Sequence, residues 1–104
     1  MESTELRNKL EDLINKLRLD TDKWSLARTD DLRGMVAPRQ RADGLTDFRI
    51  VILPNTSGIP HLHDIAVEIT GYEPHTISVM NHGHLYFTGL PQGTYTLKIA
   101  ENNR

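Results

Sequence analysis

Apolar side chains recur at every second position between residues 48 and 99, and this alternation constrains the fold of the 104-residue chain more than any other feature. The pattern is clearest near the C-terminus. There Leu85 and Phe87 precede a Gly-Leu-Pro-Gln-Gly turn sequence, and Leu97 and Ile99 follow it. Strict alternation is typical of a strand with one buried face, and glycine and proline mark turns. The sequence therefore predicts a β-hairpin closing the chain.

Three further strands are predicted upstream, at residues 47–53, 65–70 and 77–79, with no helical pattern between them. Successive strands without intervening helices favour an antiparallel sheet folded on itself over a βαβ protein. The predicted fold class is mainly β, a small antiparallel β-sandwich over residues 46–104. Val51 and Leu53 place apolar groups on the outer side of the first of these strands, so we expect the N-terminal helix to cover that side.

The N-terminal segment, residues 1–23, is predicted to be an amphipathic α-helix, because its apolar residues recur three and four positions apart. Two uses of this stripe remain open: packing on the β domain, or contact with another copy or a partner helix. In the second case the partner-binding residues are Leu6, Leu10, Leu13 and Leu17.

Residues 24–45 are predicted to be a connector that can also add a strand to the sheet, because Gly34, Pro38 and Gly44 interrupt it. Trp24 is expected to clamp the helix or the connector onto the core. The arginines of the connector either pair locally in a solvated loop or present a fork to carboxylates or phosphates of a partner. These arginines are Arg28, Arg33, Arg39 and Arg41.

Residues 83–99 read Gly-His-Leu-Tyr-Phe-Thr-Gly-Leu-Pro-Gln-Gly-Thr-Tyr-Thr-Leu-Lys-Ile. This stretch resembles the closing hairpin of prealbumin-like β-sandwich modules of the carboxypeptidase-regulatory-like and CnaB types, G-x-F-x-F-x-x-L-P-x-G-x-Y-x-L. The resemblance implies a non-catalytic spacer, adhesive or interaction module. An isopeptide of the CnaB kind is not expected, because the first strand offers Arg49 in place of lysine and Asn102 lies past the last apolar residue. The Tyr-Arg-Gly-Ser pattern of transthyretin-related hydrolases is also missing.

Two H-x-H pairs are the strongest alternative signal in the sequence. On a strand, residues two apart project to one face, where two imidazoles can bind one metal ion such as Zn²⁺. Leu85 and Phe87 fix the inward face of the predicted hairpin, so we expect the last histidine to point outward and the third to lie at the turn. A metal-binding protein is the alternative prediction, with the ligands His61, His63, His82 and His84.

Enzymatic activity is not predicted. The chain has no cysteine, and neither Ser57 nor Ser78 lies in a G-x-S-x-G sequence. A carbohydrate-binding module is a further alternative, since Tyr72, Tyr86 and Trp24 could form an aromatic platform. No cofactor is expected.

The composition narrows the class of partner. A formal net charge of -2, with acids and bases interspersed, gives no basic patch for nucleic acid or an anionic membrane. The N-terminus leads into no apolar signal-peptide region, so we predict a cytoplasmic protein. The predicted function is a protein–protein interaction or adaptor module that binds another protein or itself as a homodimer. Besides the helix stripe, the predicted contact surface is one outer face with His84, Tyr86, Thr94, Thr96 and Lys98.

Overall fold

The N-terminal helix, α1, spans Ser3–Ile14 in the computed structural model, which describes residues 3–57, 62, 64–72 and 76–100. Its end tightens, because the amide of Lys16 donates to the carbonyl of Leu13 at 2.9 Å and the amide of Leu17 to that of Ile14 at 3.2 Å. Such bonds between residues three apart are common where helices end. The helix therefore ends at Ile14, nine residues before the end of the predicted segment 1–23. No helix in the described ranges has the length and apolar character needed to cross a membrane.

Eight strands follow in the described residues, arranged in two antiparallel, four-stranded sheets. Sheet I has the order β1-β8-β5-β6, and sheet II has the order β2-β3-β4-β7. The mainly β prediction is confirmed, and the five strands expected after residue 46 are present as β4 to β8. The bounds are β1 Leu19–Asp20, β2 Ser25–Arg28, β3 Leu32–Gln40, β4 Thr46–Pro54, β5 Ala66–Thr70, β6 Ile77–Val79, β7 His84–Leu90 and β8 Thr94–Ile99.

The predicted closing hairpin is wrong, because β7 and β8 belong to different sheets. β7 pairs with β4 in sheet II, whereas β8 pairs with β1 and β5 in sheet I. The Pro-Gln-Gly sequence at 91–93 therefore connects one sheet to the other. A hairpin and a sheet-to-sheet connection bury the same alternate residues against a core, so alternation alone does not distinguish them.

The stripe of α1 is part of the core of this same chain, which decides against its use as a partner contact. Leu10, Leu13 and Leu17 are fully buried among core residues from both sheets, and Leu6 packs at the edge of the cluster. Gly34 on β3 makes the close approach possible. A Cβ at this position would lie 3.0 Å from a methyl of Leu13 and 3.1 Å from one of Leu17.

The helix does not cover Val51 and Leu53, contrary to expectation. Gly34 and Ile52, which face the helix, lie on the inner side of sheet II, and Val51 and Leu53 alternate with them on the outer side. The segment at 24–45 contains β2 and β3, and β3 pairs with β4 along nine successive positions from Leu32 to Gln40. A domain boundary at residue 46 therefore falls between two neighbouring strands of one sheet.

Tyr95 fastens the connection between the sheets. Its hydroxyl donates to the carbonyl of Pro91 at 2.7 Å, and its ring meets Phe48 and Tyr72 edge to face, with centroids 6.4 and 5.8 Å away. A tyrosine bonded to the backbone a few residues upstream is known from immunoglobulin-like β-sandwiches as a tyrosine corner. On the other side, the amide of Gly93 donates to the Thr21 hydroxyl at 3.0 Å. Burial raises the pKa of Tyr95, and the neighbouring Tyr72 adds to that rise.

We expect Tyr95 to make the fold sensitive to alkali. Because its folded-state pKa is higher than in the unfolded chain, the neutral phenol contributes stability that is complete below about pH 10 and falls as the pH rises further. Replacing Tyr95 with phenylalanine removes one hydrogen bond, which costs about 1 kcal/mol at pH 7, but also removes the alkaline loss. Urea unfolding should show that the difference in free energy of unfolding between the original protein and the Tyr95→Phe variant is smaller at pH 11 than at pH 7.

Tyr86→Phe, at an exposed ring, is the control and should leave the free energy of unfolding unchanged at both pH values. A Tyr95→Phe difference that is constant with pH would contradict this assignment.

Candidate interaction face

The outer face of sheet II carries a row of apolar side chains that the described residues leave partly or largely exposed. The register places Leu26 beside Met35, and Met35 beside Val51. Leu53 lies two positions further along β4. Leu26 is 75% exposed, and Leu53 is 39% exposed. Because these residues alternate with core residues on the same strands, the fold that buries the inner face necessarily presents them outward.

The row borders an open groove of about 540 Å³. Its lining is Leu26, Ala27, Arg28, Arg33, Gly34, Met35, Val51 and Leu53. Trp24, just before β2, is 61% exposed, so it does not clamp the helix or the connector onto the core as expected. Exposed apolar surface with a polar rim is characteristic of sites that bind another molecule.

Arginines rim the groove. Arg28 and Arg33 lie directly opposite each other in the β2–β3 register, on the outer side of the sheet. Like charges at such a position destabilise a strand pair. Arg33 donates to the side-chain oxygen of Asn55 at 3.2 Å, which is a neutral acceptor. Neither guanidinium forms an ion pair with a carboxylate among the described residues, although Arg28 also lines a depression that contains Asp30 and Asp31.

The arginine prediction is met in part. Arg39 also lies on the outer side of sheet II, but Arg41 is in the β3–β4 loop, where it pairs with Asp43 at 2.8 Å and with Asp47 at 3.4 Å. Arg49, which the sequence prediction did not include, lies on the outer side of β4. Its position between Phe48 and Ile50 was the available signal, because alternation turns it outward.

A second open depression lies between α1 and the β2–β3 turn, but its charges balance. Lys9 lies 3.8 Å from Glu5 and 3.7 Å from Asp31, and Lys16 and Asp12 line the same depression. Its lining holds three cations and three carboxylates, so the depression presents no excess charge to a ligand, and Arg28 borders both this depression and the groove. The outer face of sheet II differs in having cations and apolar groups only around its groove.

The two parts of the predicted contact surface lie in different sheets. His84 and Tyr86 are on β7 in sheet II, with their rings stacked at 6.3 Å, whereas β8 belongs to sheet I. On β8, Thr96 is hydrogen-bonded to Thr70, and Lys98 pairs with Glu68 at 3.1 Å. The single surface combining His84 and Tyr86 with Thr94, Thr96 and Lys98 is therefore not formed.

The predicted metal ligands are only partly placed. His82 occupies a two-residue turn with Gly83, at φ values of 52° and 80°, and Asn81 and His84 exchange backbone hydrogen bonds across it. This is the type I′ geometry of tight hairpins. His84 is half-buried on the outer face, and its Nδ1 has no hydrogen-bond partner. No group of three or more potential metal ligands occurs within the described ranges. His61 and His63 lie outside them, so the four-histidine site stays a prediction.

The aromatic platform proposed for a carbohydrate is not assembled as expected. Tyr72 packs edge to face on Tyr95 and joins the edge of the core, whereas Tyr86 points outward from sheet II. The outer face of sheet II is therefore the surface on which apolar exposure and unbalanced charge coincide. Comparison with family models, with curated proteins and with solved structures gave no match.

Proposed function

We propose that this chain is a non-enzymatic protein–protein interaction module that binds its partner through the outer face of sheet II. The observation that carries the proposal is the groove lined by Arg28, Arg33 and the apolar row, where apolar side chains and like charges are both left exposed. Burying that apolar row stabilises a complex by roughly 25 cal/mol per Å² of apolar surface removed from water. A fold that serves only as a spacer gains nothing from this arrangement.

The proposal includes the architecture and the location predicted from the sequence. Two antiparallel sheets around one core support a small β-sandwich, and we assign it to the prealbumin-like type from the resemblance of residues 83–99. The cytoplasm is the proposed location. The partner-binding surface is revised: sheet II supplies it through β2, β3 and β4, with His84 and Tyr86 at its far side.

Two matched substitutions test the proposal. Val51→Asp places a carboxylate in the apolar row of sheet II, and Val79→Asp places one at an exposed position of sheet I. We expect the full chain and the Val79→Asp variant to recover the same partner from cells of the native host, and Val51→Asp to recover at least tenfold less. Circular dichroism and thermal melting should show that both variants fold. Equal recovery by all three proteins, or recovery by none, would overturn the proposal.

A further inference from the structure

The outer edge of β2 has backbone groups available for a further strand. The amide of Thr29 donates to the carbonyl of Leu32 at 2.8 Å, closing the β2–β3 turn. Since hydrogen-bonded and non-bonded pairs alternate along an antiparallel ladder, Ala27 then bonds to Gly34, and Leu26 turns its amide and carbonyl away from β3. Arg28 does the same, two residues further on.

A second hydrogen bond independently indicates which residues of β3 direct their backbone groups toward β2. The amide of Asn55 donates to the carbonyl of Asp31 at 2.8 Å, at the end of the β3–β4 ladder. The backbone amides and carbonyls of odd-numbered residues of β3 therefore bond to β4. Those of even-numbered residues, such as Gly34, bond to β2. In the described part of the chain, no strand lies on the other side of β2. An exposed edge of this kind is a template for an added strand.

The side chains at this edge define what an added strand must carry. Leu26 and Arg28 both point to the outer face, and an added strand would place alternate side chains beside them. A residue beside Leu26 would extend the apolar row. A residue two positions away would lie beside Arg28, within reach of the guanidinium groups of Arg28 and Arg33.

Charge decides the residue at that second position. Arg28 and Arg33 lie directly opposite each other and repel, and a carboxylate on the added strand beside Arg28 offsets that repulsion by accepting charge-assisted hydrogen bonds. Arg49 and Arg39 lie on the same face, and neither is in an ion pair within the described residues, although Asp47, directly opposite Arg39 in the β3–β4 register, offsets part of their charge. The chain as a whole has a net charge of -2, which does not favour long polyanions such as nucleic acid. An acidic peptide matches both the local charge and the open edge.

We infer that the partner contributes an extended acidic segment that adds to β2 as a fifth strand of sheet II, with an apolar residue beside Leu26 and an aspartate or glutamate two positions away beside Arg28. This inference rests on the proposed function and specifies its ligand. The recognised pattern is an apolar and an acidic residue separated by one position, acidic-x-apolar in an antiparallel added strand and apolar-x-acidic in a parallel one, because only alternate side chains of the added strand face the groove.

Selection from a random library tests this pattern. Eight-residue linear peptides displayed on phage are selected on the immobilised full chain. We expect the enriched peptides to carry an apolar and an acidic residue separated by one position. Enrichment of peptides without an acidic residue, or no enrichment, would overturn the inference, and preferential binding of a single-stranded DNA probe would do the same.

The strand addition has its own readout in backbone amide exchange. With an enriched peptide bound, we expect the amides of Leu26 and Arg28 to exchange at least tenfold more slowly, whereas the amide of Ala27 changes little because it already bonds to β3. If the peptide binds but neither the Leu26 amide nor the Arg28 amide exchanges more slowly, the peptide does not add to the edge of β2.

Charge reversal tests the arginines. The double variant Arg28→Glu/Arg33→Glu should bind the enriched peptide at least tenfold more weakly, and a peptide with lysine in place of its acidic residue should regain affinity for that variant. Arg49→Glu is the control for general charge, because β4 lies two strands from the edge; we expect less than a threefold effect. Equal losses of affinity in the two variants would overturn the specific role of Arg28 and Arg33.

If a Val51-dependent partner is recovered while the selected peptides lack acidic residues, the inference fails and the proposed function stands.

Discussion

Replacing Gly83 with alanine should destabilise the protein more than the same substitution at any other glycine that the structure describes. Gly83 has a φ of +80°, and a Cβ there would lie 2.2 Å from the carbonyl oxygen of Ile52. That oxygen belongs to backbone, and the amide of Ile52 donates to the Gly83 carbonyl at 2.8 Å, so neither side can yield without breaking the β4 ladder. Left-handed backbone costs an alanine about 1–2 kcal/mol, and overpacking adds about 1–3 kcal/mol. We expect a loss of about 2–5 kcal/mol in the free energy of unfolding, measured with urea.

Gly44→Ala separates the two contributions to this loss. Gly44 also has a positive φ, +87°, but a Cβ there would have no neighbour within 4 Å. Its substitution should cost only the backbone term, about 1–2 kcal/mol. If Gly83→Ala lowered the free energy of unfolding no more than Gly44→Ala does, the close packing of the His82-Gly83 turn on β4 would be contradicted.

Replacing Leu13 with alanine should cost about 3 kcal/mol or more, by loss of buried surface and creation of a cavity. Leu13 is 0% exposed, and it lies in the core against β3 beside Gly34. The matched substitution is Leu26→Ala, which removes the same atoms from a side chain that is 75% exposed. It should change the free energy of unfolding by less than about 0.5 kcal/mol. Chemical unfolding of both variants measures the difference.

The Leu13 and Leu26 pair also tests the two roles assigned to apolar residues in this chain. If Leu13 served a partner and not the core, its removal would leave the stability of the isolated chain nearly unchanged. If Leu26 were structural, its removal would lower stability. The expected result is the reverse in both cases: Leu13 stabilises the fold, and Leu26 is free to serve an interaction.

The sequence was sufficient to predict α1 and β4 to β8, but not β1 or β2, and it predicted β3 only as a strand that the connector could add. Alternation from Phe48 onward located β4 to β8, because a strand with one buried face must alternate. The stripe of Leu10, Leu13 and Leu17 located α1 for the corresponding reason at helical spacing. The candidate site was predicted only in fragments: Arg28, Arg33 and Arg39 were noted, but Leu26 and Met35 were not connected with them, because only pairing across strands brings these residues together.

What the sequence alone determined is the period of each segment and therefore which side chains of each strand are apolar and aligned. What only the tertiary structure decided is which strands pair and which aligned face remains uncovered. β7 and β8 are consecutive in sequence yet belong to different sheets. α1 packs on the inner face of sheet II beside Gly34, and not on the outer face that carries Val51. The physical reason is that periodicity depends on local backbone geometry, whereas the choice of partner depends on the packing of residues far apart in the chain.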